Sequence, residues 1–187
     1  MDFHNLLENL KNQSFFSNLI IERGIEKESL RVTNNGYISN KKHPETLGSS
    51  YTNPSITTDF AESLIEIVTP TYTNVDELYE KLKIIHVFIN QNLKDGEMLW
   101  PFSMPPKIED ESKINIATYG KTNMGRLKHV YRKGLAIRYG KTMQCVSGIH
   151  YNFSISDKSL KHLRFSSQND KNKAYLNLIR NFKRLFW

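Results

Sequence analysis

Two short segments of this chain place acidic residues in a strand-like pattern. Residues 24–32 carry Glu26 and Glu28, and residues 57–70 carry Asp59, Glu62 and Glu66. Glu26 and Glu28 stand at i and i+2, so in a strand both carboxylates point to one face, which Leu30 and Val32 continue. Carboxylates sharing a face with apolar residues are costly unless something positive satisfies them. A hard cation such as Mg²⁺ does so, taking oxygen ligands and often bridging substrate phosphates. Glu66 lies between Ile65 and Ile67, where a carboxylate must face a cleft or be paired. His150 alternates with Gln144 and Asn152, although Mg²⁺ takes imidazole less readily than oxygen. Plainer readings stand beside this one. Glu26 and Glu28 could be exposed strand residues, Asp59, Glu62 and Glu66 one solvated helical face, and His150 a hydrogen-bonded structural residue. Spacing supports a metal site on a sheet without deciding among them.

The elements that would position these residues follow from periodicity. Phe3, Leu6, Leu7 and Leu10 have helical spacing. Residues 19–32 read as a strand closed by the turn signal Asn34-Asn35-Gly36, with Tyr37 and Ile38 beginning a partner strand. Residues 43–54 read as loop. Residues 64–69 are rich in β-branched side chains and stop at Pro70, which predicts a strand, with helix the alternative for 58–66. Asn74 followed by Glu77 resembles a capping box. Val75, Leu78, Leu82, Ile85, Ile89 and Leu93 then form one stripe. A second helix is predicted from Asn123 to Tyr139, with Leu127, Val130, Tyr131 and Leu135 along one side and Gly140 as its stop. Residues 143–155 alternate like a strand. Residues 156–174 are polar and basic, a predicted surface loop. From Ala174 the chain is amphipathic again, and it stops on Trp187 inside an apolar helix as though cut.

Composition narrows the function classes. The 187 residues suffice for one domain with a real core, and mean hydropathy is −0.53. No stretch approaches the roughly 18 apolar residues of a membrane span. The N-terminus lacks the basic start and cleavage site of a signal peptide, and a lone cysteine, Cys145, fits a reducing cytoplasm. The net charge is +7, of which residues 157–187 carry +6. The basicity is therefore local, a solvated face or a nucleic-acid patch. Phosphate-binding glycine loops, paired Cys-x-x-Cys motifs and Gly-x-Ser-x-Gly elbows are absent.

These same residues resemble bacterial glutamate–cysteine ligases of the proteobacterial type. The resemblance rests on Arg-Gly-Ile-Glu-Lys-Glu-Ser-Leu-Arg-Val at 23–32, His-Pro-Glu-Thr-Leu-Gly-Ser at 43–49 and Ile-Thr-Thr-Asp-Phe-Ala-Glu-Ser-Leu-Ile-Glu at 56–66. It continues through Met-Leu-Trp-Pro-Phe-Ser-Met-Pro at 98–105, residues 119–128 and 130–140, and Gln-Cys-Val-Ser-Gly-Ile-His-Tyr-Asn-Phe-Ser at 144–154. It implies an α+β fold similar to glutamine synthetase, a curved antiparallel sheet flanked by helices, here incomplete at the C-terminus. The implied reaction is ATP-dependent ligation of the glutamate γ-carboxylate to cysteine through a γ-glutamyl phosphate. That is the first step of glutathione synthesis, in the cytoplasm.

By the same resemblance Glu26, Glu28, Asp59, Glu66 and His150 are expected to bind Mg²⁺, or Mn²⁺ in its place. Phe60, Tyr131, Leu135 and Gln144 are expected to shape the cysteine pocket. Asn123, Arg132 and Asn152 stay unassigned. The small-molecule partners expected are glutamate, cysteine and ATP, with most of the ATP site in the later part of the family's sequences. The chain alone is thus expected to be inactive, one part (1–187) of a single catalytic domain with an exposed apolar edge. The rival readings are a non-catalytic remnant and a nucleic-acid-binding module on the basic segment, for which no aromatic–basic recognition motif is present.

Overall fold

A twelve-residue strand, β1 (Ile21–Val32), organises the sheet. The computed structural model describes residues 4, 5, 8, 11, 19–163 and 165–186. The four apolar residues of the predicted first helix (Phe3, Leu6, Leu7, Leu10) lie outside the described residues. Strands β2 (Ile56–Thr58) and β3 (Leu64–Val68) form an antiparallel pair, and β3 lies antiparallel against β1. The other edge of β1 receives β4 (Met98–Leu99) and β5 (Ile149–Ile155). The sheet is therefore open, in the order β2-β3-β1-β4, with β5 also on β1. By contact density the chain divides into two units, Arg23–Asn152 and a second made of Met1–Glu22 with Phe153–Trp187.

Within the larger unit, alternation along β1 assigns the two faces. Lys27, Ser29 and Arg31 share a face with Ile65 and Ile67 of β3 and Ile56 of β2. Helix α1 (Val75–Asn92) covers that face with Ile85, Ile89 and the half-buried Leu82. Asn74 caps it as expected, its side-chain oxygen accepting from the N–H of Asp76 at 2.7 Å and of Glu77 at 3.4 Å. Each fully buried isoleucine contributes about 1.5–3 kcal/mol. The opposite face carries Glu26, Glu28 and Leu30 of β1 beside Leu64 and Glu66 of β3. Its Leu30 end packs with Phe60, Ala61, Leu64, Ile114 and Cys145. Helix α2 (Asn123–Tyr139) reaches this cluster through Leu135 and Ala136 and ends at Gly140, with φ of 81°.

Arg31 is fully buried within this unit. Its Nη1 donates to Glu97 Oε2 at 2.8 Å, and Nη2 donates to the carbonyls of Lys41, Lys42 and Glu62. Glu62 is buried too. Its Oε1 accepts from the N–H and hydroxyl of Thr118, and its Oε2 accepts from the N–H of His43. The 41–49 loop, which includes the 3₁₀ turn Glu45–Leu47, is tied down by these two side chains.

Several sequence expectations change here. The strand expected over 143–155 begins only at Ile149. Residues Thr142–Gln144 form a 3₁₀ turn, because the N–H of Cys145 closes on Thr142 and Lys141 is held by Glu111 and the Ile114 carbonyl. Gln144 is therefore not on the sheet with His150. The solvated helix considered for 58–66 is absent, since the N–H of Asp59 bonds the Leu64 carbonyl and turns β2 into β3. Leu127, Val130 and Tyr131 are exposed rather than packed.

In the smaller unit, residues 156–174 are largely helical rather than a loop. Helix α3 (Asp157–His162) starts on the Ser156 cap and buries Leu160, and α4 (Gln168–Leu185) starts on a Ser167–Asp170 capping box. Caps can start a helix in a polar stretch that has no apolar stripe. Ile179, Phe182, Leu185 and Phe186 of this unit are exposed. Among the described residues no helix is long and apolar enough to cross a membrane.

Two outcomes follow from the burial in the larger unit. Glu97→Ala strands the Arg31 charge and is expected to lower unfolding free energy by about 3–5 kcal/mol in urea titrations; a loss under about 1 kcal/mol would mean water reaches Arg31. Cys145 is 0% exposed, and burial pushes its thiol up to about 12. Native protein at pH 8 should therefore react with iodoacetamide no faster than it opens. Alkylation at the rate of the unfolded chain would contradict that burial.

Candidate functional site

The register of β1 against β3 sets Glu28 directly opposite Glu66. Glu26 lies two residues along β1 on the same face. Asp59 follows the end of β2, where the chain turns back toward β3. Two strands and one turn thus bring four carboxylates to one side of the sheet. Apolar burial ends along β1 between Leu30, which is in the core, and Glu28, which is half-buried.

Gly148 and β5, which follows it, hold two of these side chains in place. The backbone N–H of Gly148 donates to Glu28 Oε2 at 2.7 Å, while the N–H of Glu28 donates to the Gly148 carbonyl at 3.0 Å. His150 Nδ1 lies 3.2 Å from Glu26 Oε2, and Asn152 Nδ2 donates to Glu26 Oε1 at 3.0 Å. The alternation of His150 and Asn152 along β5 puts both on Glu26. His150 is raised above the ordinary histidine range chiefly by that bond to Glu26.

The carboxylates sense one another. Burial pushes Glu28 up, and the charges of Asp59 and Glu26 add to it, against the Gly148 N–H and His150. Burial likewise raises Glu66, followed by Asp59, Glu28 and Glu26, with Arg132 opposing. Hard oxygen donors crowded into a half-buried patch fit a hard divalent cation, which would remove this repulsion. Among the described residues no three or more His, Cys, Asp or Glu side chains already stand close enough together to hold an ion. The donor chemistry fits such an ion.

Arg132 supplies the cation beside this patch. It comes from α2, its Nε donating to the Asp59 carbonyl and its Nη2 lying 3.7 Å from Asp59 Oδ1. Its pairing with Asp59 spans 73 residues and leaves no local spacing signal in the sequence. Asn152 was visible as an i+2 neighbour of His150, but its partner was not. Glu62, grouped by sequence with Asp59 and Glu66, points instead into the Thr118–His43 network.

The four residues expected around cysteine are dispersed in character. Phe60 is buried in the same cluster that Leu135 packs against. Tyr131 is 63% exposed on α2, four residues before Leu135. Gln144 is half-buried in the 3₁₀ turn beside Cys145.

Solved structures share this fold. A glutamate–cysteine ligase from Francisella tularensis, solved in complex with AMP, superposes with a TM-score of 0.80 at 38% identity, over 88% of this chain and 33% of that one. A bifunctional glutathione synthetase from Pasteurella multocida gives 0.83 at 32% identity, over 94% of this chain and 23% of that one. An open sheet with helices of this kind defines the structural class of those enzymes. The chain belongs to the glutamate–cysteine ligase family, whose model matches residues 5–187. Relatives include the glutamate–cysteine ligases of Hahella chejuensis, 47% identical over 173 residues, and Pseudomonas aeruginosa, 50% identical over 170. The matches cover 89% and 88% of this chain and 33% and 32% of those relatives, so the chain spans about a third of their length.

The raised carboxylates imply a pH response. A folded-state pKa above the unfolded one means that stability is full below the unfolded value and is lost as pH rises through the folded value. Without divalent cations, this patch should make the protein more stable near pH 5 than near pH 7.5. Glu66→Gln is expected to raise the melting temperature at pH 7.5 and to shrink that difference in scanning calorimetry. An identical pH profile in the variant would show that the carboxylates do not interact.

Proposed function

We propose that residues 1–187 supply the metal-binding and cysteine-binding part of a glutamate–cysteine ligase catalytic domain. The observation that carries this reading is the register Glu28 opposite Glu66, which gathers Glu26, Glu28, Asp59 and Glu66 on one face in a chain of that family. In the proposed reaction an oxygen of the glutamate γ-carboxylate attacks the γ-phosphorus of ATP and ADP leaves. The cysteine amine then attacks the acyl carbon, losing a proton as phosphate departs, to give γ-glutamylcysteine.

Glu26, Glu28, Asp59, Glu66 and His150 are the residues that would hold Mg²⁺, with Mn²⁺ an equivalent occupant. Bound there, the cation would neutralise the phosphates of ATP and stabilise charge developing during in-line transfer. His150 and Asn152 orient Glu26, and the Gly148 N–H orients Glu28. Phe60 and Leu135 would form the apolar wall of the cysteine site, with Tyr131 and Gln144 as its polar anchors. A cytoplasmic setting, with ATP at hand and thiols reduced, suits this chemistry.

Two measurements test the reading. Mn²⁺ titration of the 187-residue chain, followed by electron paramagnetic resonance, should show binding that Glu28→Gln and Glu66→Gln each weaken about 10-fold or more, since each removes a charged ligand. Joined to the remaining two-thirds of the Pseudomonas aeruginosa relative, the chain should form γ-glutamylcysteine from ATP, glutamate and cysteine, and Glu66→Gln should cut turnover about 100-fold or more. Mn²⁺ binding indifferent to both glutamates, or near-normal turnover in Glu66→Gln at saturating Mg²⁺, would overturn it.

A further inference from the structure

We propose that Tyr119 is a positioning residue for the carboxylate site, aiming Asp59 through its hydroxyl and seating Arg132 on its ring. This rests on the metal-site reading above. Tyr119 is only 3% exposed and lies in the loop before α2. Its hydroxyl stands 2.7 Å from the Thr58 carbonyl oxygen and 2.8 Å from that of Asp59. Successive carbonyls in a strand point to opposite sides. Two in a row reaching one hydroxyl mark the place where β2 ends and the chain swings toward Glu66. The hydroxyl bridges that swing, so it fixes the peptide between Thr58 and Asp59 and the direction in which the Asp59 side chain leaves the backbone.

The ring has its own task. The Arg132 guanidinium carbon lies 4.7 Å from the ring centroid and Lys128 Nζ lies 5.0 Å from it, both within cation–π range. From that seat Arg132 Nε donates to the same Asp59 carbonyl that Tyr119 serves, and Nη2 faces the Asp59 carboxylate. The backbone of Tyr119 is itself braced by α2. A Cβ at Gly125 would overlap the Tyr119 carbonyl, so the first turn of the helix lies directly against it. Asp59 is thus aimed by a loop tyrosine and a helix arginine rather than by the ladder that aims Glu26, Glu28 and Glu66.

A double-mutant cycle on the 187-residue chain, read as Mn²⁺ affinity by electron paramagnetic resonance, tests the assignment. Tyr119→Phe keeps the ring and removes the hydroxyl. It is expected to weaken Mn²⁺ binding roughly 10-fold, the scale seen when a partner that orients a metal ligand is removed. Asp59→Asn should weaken binding at least as much. The double variant should be no weaker than Asp59→Asn alone, because the hydroxyl acts through Asp59. Tyr119→4-aminophenylalanine, which restores an N–H donor at the end of the ring, should recover affinity. If Tyr119→Phe is too unstable to assay, sucrose in the buffer favours the compact state and keeps the cycle readable. Unchanged affinity in Tyr119→Phe, or fully multiplicative losses in the double variant, would overturn the proposal. Wild-type binding indifferent to Asp59→Asn would instead overturn the place of Asp59 in the metal site, and the positioning role with it.

Discussion

Arg31 is a guanidinium with no access to water, and much of the larger unit is arranged to satisfy it. Burying an unpaired charge costs several kcal/mol, so partners must come from wherever the chain can bring them. They come from Glu97 beyond α1, from the Lys41 and Lys42 carbonyls in the loop, and from the Glu62 carbonyl at the turn between β2 and β3. These contacts pin β1, its following loop and the β3 turn to one another. With Arg31 fixed in that position, β1 cannot slip against β3. A slip of one residue would carry every side chain of β1 to the wrong face.

The register so held gives one sheet face two different uses. Leu30 and Leu64 are core, covered by Leu135 and Ala136 of α2. Two residues back along β1, and two residues on along β3, the same face carries Glu28 and Glu66. Their mutual repulsion is an electrostatic cost that nothing in the packing requires. Half-burial makes it larger, because fewer waters screen each charge. Such a patch opposes folding where the Arg31 network supports it.

The remaining parts of the site are held from beyond β1 and β3. Gly148 contributes an N–H, and β5, which follows it, an imidazole and an amide, each directed at a carboxylate of β1. The loop before α2 and the helix itself contribute Tyr119 and Arg132, both directed at Asp59. Gly125 permits the close approach of helix and loop that makes this possible. Strands β1 and β3 and the turn after β2 thus set where the carboxylates are, and β5, Gly148, the loop before α2 and α2 itself set how they point.

Much of this was legible in the sequence, and the reason is local. The i, i+2 spacing of Glu26 and Glu28, the β-branched run ending at Pro70 and the Asn74 cap each act within a few residues. They predicted β1, β3 and α1 close to their observed limits. The ordered motifs from 23 to 154 carried the family. Tertiary structure decided the rest, because the deciding contacts join residues far apart along the chain. The pairing of Glu28 with Glu66 depends on register, and the loss of strand at 143–148 on the grip of Glu111 and Ile114 on Lys141. The departure of Glu62 from the acidic group depends on Thr118, 56 residues away. Alternation at Gln144 and exposure along α2 were misread for the same reason: period reports which side chains share a face, and only packing decides what that face meets.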